Sequence, residues 1–157
     1  MCLFDFTGYS RFDGLQLTPE LILYPDVKPE DPYYESVNIA TILGFARGFP
    51  SENDSPFHPE QPVSRIHALK MLLQAMDVMQ WKERAELKAE LGGVQALRAQ
   101  KTPFADIDPR IPSMWWYPRY VNFAHLTRVI DDKDFFAPNK PLTQGVLEQW
   151  LKNALNL

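Results

Sequence analysis

The apolar and polar positions of this chain fall into short helical stretches separated by proline-bearing connectors. Tyr33, Val37, Ala40 and Leu43 recur at three- and four-residue steps, the spacing of one face of an α-helix. Ile66, Leu69, Leu73 and Met76 form a second such stripe. Leu147, Trp150, Leu151, Ala154 and Leu155 form another near the C-terminus, all expected to face inward. A further helix is predicted to start near Trp116 or Tyr117 and to continue past Val121 and Ala124, with Pro118 tolerated in its first turn. Between Gln80 and Lys101, the positions Trp81, Leu87, Leu91, Val94 and Leu97 predict an amphipathic connecting helix, and the charged run from Lys82 to Glu90 is its solvated face. Gly92-Gly93 is a point of kinking or interruption, since each glycine costs about 1 kcal/mol against alanine. The predicted fold class is all-α.

Local chemistry marks where these helices begin and end. Asp31-Pro32 offers an N-cap followed by a proline at the first helical position. Gly44 and Gly48 are candidate C-terminal stops. Ser64 and Thr143 stand where caps for the helices that follow them are needed. Most of the fourteen prolines lie between the periodic segments, where a fixed φ stiffens a connector at little cost.

The chain also resembles itself. Tyr24-Pro-Asp-Val27 lines up with Phe104-Ala-Asp-Ile107, and Tyr33-Tyr34 with Trp116-Tyr117. Val37-Asn-Ile-Ala40 matches Val121-Asn-Phe-Ala124, Phe57-His-Pro59 matches Phe136-Ala-Pro138, and Pro62-Val-Ser-Arg65 matches Pro141-Leu-Thr-Gln144. Ordered recurrence of several blocks is the signature of a repeat. The expected organisation is an N-terminal arm or degenerate repeat remnant over 1–23, one copy over 24–79, the connecting helix over 80–103 and a second copy over 104–157. Each copy reads helix, loop, helix.

Composition removes several function classes. The net charge of −4 shows no basic stripe of the kind a nucleic-acid binder needs against phosphate. The apolar run around Ile39 to Ala46 is too short to span a bilayer. A lone cysteine, Cys2, rules out an intramolecular disulfide, and 157 residues bury enough surface to do without one. The opening Met-Cys-Leu-Phe-Asp-Phe lacks the basic start and apolar run of a signal peptide, so, if the natural protein is exported, this chain is expected to be either an engineered portion of it or a piece of a larger polypeptide.

The blocks of each copy, taken in order, resemble the S-layer homology domain. They are a Phe-x-Asp-Val-like opening (Tyr24 to Val27, Phe104 to Ile107), an aromatic pair, a helix through Val37 or Tyr120-Val121, a Phe-x-Pro loop end, and a cap resembling Thr-Arg-x-Glu at Val63-Ser-Arg65 and Leu142-Thr143. The resemblance covers about Tyr24 to Met79 and Phe104 to Leu157. It implies a non-catalytic module that binds an anionic cell-wall polysaccharide and anchors a protein at the bacterial cell surface, with other surface proteins as further partners. It also implies that Arg65 contacts an anionic sugar substituent; Gln144 stands at the matching place in the second copy, which is expected to be structural.

From the residues themselves Arg65 has two readings. A guanidinium at a helix N-terminus can grip a carboxylate bidentately, or it can pair with Asp26 or another acid and lock a loop. The candidate glycan contacts are Arg65, Ser64, Asp26, Tyr34, Trp116 and Tyr117, the aromatics as platforms for sugar faces. Asp26 and Asp106 read more simply as turn or helix caps, and Asp131, Asp132 and Asp134 as a solvated loop rather than a calcium site. His58, His67 and His125 lack metal-ligand spacing, and no phosphate loop or nucleophile elbow is present. No cofactor, metal, catalytic residue or membrane insertion is expected. The alternative is an assembly module that kept the fold and lost glycan binding, favoured if Arg65 is buried in an ion pair and if the connecting helix exposes an apolar patch.

Overall fold

The computed structural model describes residues 23–44, 46–49, 54–78 and 89–155. The N-terminal arm up to residue 22, Cys2, and Trp81 and Leu87 of the connecting segment lie outside them. Among the described residues the protein is all-α: α1 (Tyr34–Ile42), α2 (Arg65–Val78), α3 (Gly93–Ala99), a 3-10 turn (Pro112–Met114), α4 (Pro118–Leu126) and α5 (Gln144–Leu155). The only extended pairing described is an isolated antiparallel bridge between Ser64 and Pro141. The chain divides into two compact units, Met1–Gln61 and Pro62–Leu157.

In the first unit, α1 packs Tyr34 and Val37 against Tyr24 and Val27, with Tyr33 and Phe57 at the edge. The helix begins later than Asp31-Pro32 suggests, with Tyr33 in the N-cap place. Asp31 is used instead in the preceding turn, where its carboxylate accepts the Lys28 N–H at 2.7 Å and its own N–H reaches the Lys28 carbonyl at 2.9 Å. Gly44 ends α1 in the left-handed region (φ +82°), as a C-terminal glycine should. Gly48 has a different task. A Cβ there would lie 2.5 Å from the Tyr24 ring and 2.6 Å from the Pro56 carbonyl, so only glycine lets the strap pass.

The second unit holds the larger core. Ile66, Leu69, Leu73 and Met76 of α2 are each 5 % exposed or less, and they meet Val121 and Ala124 of α4 and Trp150 and Ala154 of α5. Leu155 is the exception to the predicted α5 stripe: it is 64 % exposed, one position past the face that Trp150 and Ala154 define. In the connector, α3 starts only after Gly92, whose φ is +80°, and Leu97 is buried while Val94 is 40 % exposed.

Two places in this fold are built with the same bonds. After α1, the N–H of Ala46 reaches the Ala40 carbonyl at 3.1 Å; after α4, that of Ile130 reaches the Ala124 carbonyl at 3.2 Å. The left-handed position beneath each is Gly44 in one and Arg128 (φ +57°) in the other. Within the second unit, the stretches leading into α2 and α5 pair antiparallel. Leu142 N–H bonds the Val63 carbonyl at 2.8 Å and Arg65 N–H the Lys140 carbonyl at 2.9 Å. Val63 and Leu142, which hold the same place in the two similar blocks of sequence, are the two residues joined by the first of these bonds.

Candidate functional site

Asp26 and Asp106 hold loops. Each follows a buried aromatic, Tyr24 or Phe104, in a tight turn. The Asp26 carboxylate accepts the N–H groups of Phe57 at 2.8 Å and His58 at 2.7 Å. That of Asp106 accepts the N–H groups of Phe136 at 3.0 Å and Ala137 at 2.6 Å. In both cases the second residue of the pair has a left-handed backbone, His58 at φ +56° and Ala137 at φ +55°. Two converging N–H donors make a small anion-binding nest, here filled by the protein's own carboxylate. Burial raises the Asp26 pKa, but the bonds from Phe57 and His58 outweigh it and the net shift is downward.

Arg65 opens α2 and is committed to the protein's interior. Its Nε donates to the Phe136 carbonyl at 2.7 Å and its Nη2 to the Asp132 carboxylate at 2.5 Å. The guanidinium lies 4.9 Å from the Phe136 ring centroid and 5.1 Å from that of Trp150, and the side chain is only 11 % exposed. Burial pushes the Asp132 carboxyl up, against the opposing charge of Arg65. Of the two readings of Arg65, the ion pair is the one present, with Asp132 rather than Asp26 as partner. Tyr34 and Tyr117 are 6 % and 5 % exposed, so neither ring presents a face to solvent.

Ser64, Trp116 and Tyr117 are brought together. Ser64 stands at the N-cap place of α2, but its hydroxyl bonds the ring Nδ1 of His67 at 2.8 Å rather than a helix N–H. The His67 ring packs on Trp116 with centroids 5.5 Å apart. Trp116 in turn meets Tyr117 edge-on at 4.6 Å and Tyr120 at 5.7 Å. Lys70 places its Nζ 5.8 Å from the Trp116 ring, and Arg119 lies 4.5 Å from the Tyr120 ring while donating to its hydroxyl at 2.8 Å. Loss of hydration, and then the Lys70 charge, lower the His67 pKa below 6.5. The result is a partly exposed aromatic surface edged by two cations.

His67, Lys70, Arg119 and Tyr120 were not among the sequence candidates. A signal for them existed: His67 and Lys70 are one helical turn apart and flank the apolar stripe of α2, and Arg119-Tyr120 extends the aromatic pair. Among the described residues no group of three His, Cys, Asp or Glu side chains is placed to hold a metal ion. No described helix is long and apolar enough to cross a membrane.

Short helices, proline connectors and carboxylate-tethered loops define the class of a small all-α module. Residues 23–69 match the family model of the S-layer homology domain, so this stretch of the chain is similar to that family. The match runs from the Tyr24 turn through α1 and the Asp26 tether to the first turn of α2, and it includes Arg65. The family consists of non-catalytic anchoring modules that bind secondary cell-wall polymers at the cell surface. No curated protein and no solved structure matches the chain.

Proposed function

We propose that this chain is a non-catalytic module that binds an anionic cell-wall polysaccharide and so holds a protein at the cell surface. The observation that carries the reading is the family match over residues 23–69 together with the Trp116 surface. An aromatic face edged by Lys70 and Arg119 suits a sugar ring that also bears a negative charge. In this reading Trp116, Tyr120, Ser64 and His67 contact sugar, Lys70 and Arg119 attract the anion, Arg65 and Tyr117 hold the surface in shape, and Asp26 and Tyr34 serve the first unit's own packing. Residues 104–157 are read as a second, diverged copy of 24–79, supported by the matched Asp26 and Asp106 tethers.

The test is co-sedimentation with purified bacterial sacculi before and after removal of their secondary polysaccharide. The expected result is polysaccharide-dependent binding that falls at least tenfold, about 1.4 kcal/mol, in Trp116→Ala. Absence of binding by the folded wild type would sink the reading.

One observation favours the second reading, an assembly module. Arg65, the residue through which the family resemblance implies sugar contact, is tied to Asp132 and 11 % exposed. A wild type that ignores sacculi yet forms defined oligomers in sedimentation would establish that reading instead.

A further inference from the structure

The connector between α3 and α4 is flanked by two adjoining hollows, of about 460 Å³ and 330 Å³, that share Gln100, Lys101 and Thr102. These volumes fall within the roughly 300–1,000 Å³ range of small-molecule sites. The wall between them is firmly held. Asn122, 2 % exposed, donates its Nδ2 to the carbonyls of Leu97 and Gln100 at 2.9 Å each, and the Phe104 N–H bonds the Thr102 hydroxyl at 3.2 Å.

The charge here is unbalanced. Arg98, Lys101 and Arg110 line the smaller hollow against a single carboxylate, Asp108. Arg110 already takes that carboxylate in both oxygens, with Nε and Nη2 bonds of 2.9 Å and 2.8 Å that lower the Asp108 pKa to about 2. None of the ion pairs among the described residues includes Arg98 or Lys101. Two polar atoms of this region, Arg98 Nε and Asn122 Oδ1, are buried with no hydrogen-bond partner. Arg98 also lies 4.9 Å from the ring of Trp115, and Trp115 is 51 % exposed.

An uncompensated cation pair, hydroxyl and amide side chains at Thr102 and Gln100, and an open indole select a ligand that has a carboxylate, several hydroxyls and an apolar ring face. We propose that the hollow along residues 98–102 binds an acidic saccharide residue, its carboxylate on Arg98 and Lys101 and its ring against Trp115. This rests on the polysaccharide-binding reading and adds an anion site apart from the Trp116 surface, on residues outside the family match.

The test is an amide and indole NMR titration of the full chain with D-glucuronate, D-glucose and inorganic phosphate, on wild type, Arg98→Gln and Lys101→Gln. D-Glucuronate should shift the Trp115 indole and the amides of 98–102, D-glucose should not, and Arg98→Gln should weaken the response at least tenfold with the rest of the spectrum unchanged. No response to D-glucuronate, or one unaltered in both variants, overturns the proposal. Phosphate that matches D-glucuronate without moving the Trp115 indole overturns its saccharide part. Sacculi separate the two readings: binding lost in Trp116→Ala but intact in the Arg98→Gln, Lys101→Gln double variant refutes this site alone, whereas no binding by wild type refutes the polysaccharide reading itself.

Discussion

Arg65 donates to Asp132 across 2.5 Å, with its guanidinium against the Phe136 and Trp150 rings. An arginine held on three sides has little freedom to seize a ligand. Its removal leaves Asp132 partly buried without a partner and the Phe136 carbonyl without a donor, which costs more than the pair itself is worth.

Arg65→Ala is therefore expected to destabilise the protein by about 3 kcal/mol, measured by urea unfolding. Asp132→Asn should cost less, since burial already works against that carboxylate's charge. Under conditions where Arg65→Ala is still folded, it should sediment with sacculi as the wild type does. A folded Arg65→Ala that fails to bind would instead return Arg65 to the glycan contact.

The carboxylate tethers make a second prediction. Asp106→Ala removes acceptors for two N–H groups and should cost about 3 kcal/mol, from roughly 1.5–3 kcal/mol per bond to a charged group. Asp26 adds a pH dependence. Its folded pKa lies below the ordinary aspartate value of 3.8, so its stabilisation is complete above that value and is lost as pH falls through the folded pKa. Asp26→Asn should flatten the acid limb of the unfolding curve below about pH 4; an unchanged limb would contradict the tether.

Arg128 occupies the left-handed position that Gly44 occupies after α1. An L-residue pays about 1–2 kcal/mol there, while glycine returns about 0.5–1 kcal/mol through the unfolded chain. Arg128→Gly should raise stability by up to about 1 kcal/mol, and Gly44→Ala should lower it by a similar amount. Thermal unfolding decides both.

His67 reports on the Trp116 surface. Its pKa is depressed by lost hydration and then by Lys70, so the neutral ring is the form the fold favours. Its contribution to stability is present above pH 6.5 and declines as pH falls through the folded value. Trp116→Ala rehydrates the ring and should raise the His67 pKa toward 6.5, read from its NMR titration. A value that does not move would mean that Trp116 does not shield it.

Helix class, the α2 stripe and the start of α4 at Pro118 were legible because they depend on local spacing and on proline chemistry. Each is decided within a turn or two of chain. The order of the similar blocks was legible for the same reason, and it marked Asp26 and Asp106 as equivalent. Their job was not: a carboxylate looks like a local cap until the Phe57 and Phe136 loops are seen to bring their N–H groups back to it.

What the sequence determined by itself was the all-α class, the glycine stop at Gly44, the charge that excludes a nucleic-acid stripe, and the family resemblance. Tertiary structure alone decided which side chains are spent. Arg65 is consumed by Asp132, residues 67 positions apart whose meeting depends on the antiparallel pairing of 62–66 with 138–142. Tyr34 and Tyr117 go to the core while Trp116 reaches the surface, because adjacent residues of one turn point in different directions. Arg98 and Lys101 are set by the fold around a hollow with one carboxylate, already taken by Arg110. Spacing along a chain sets helices; charge balance and exposure belong to what the chain folds against.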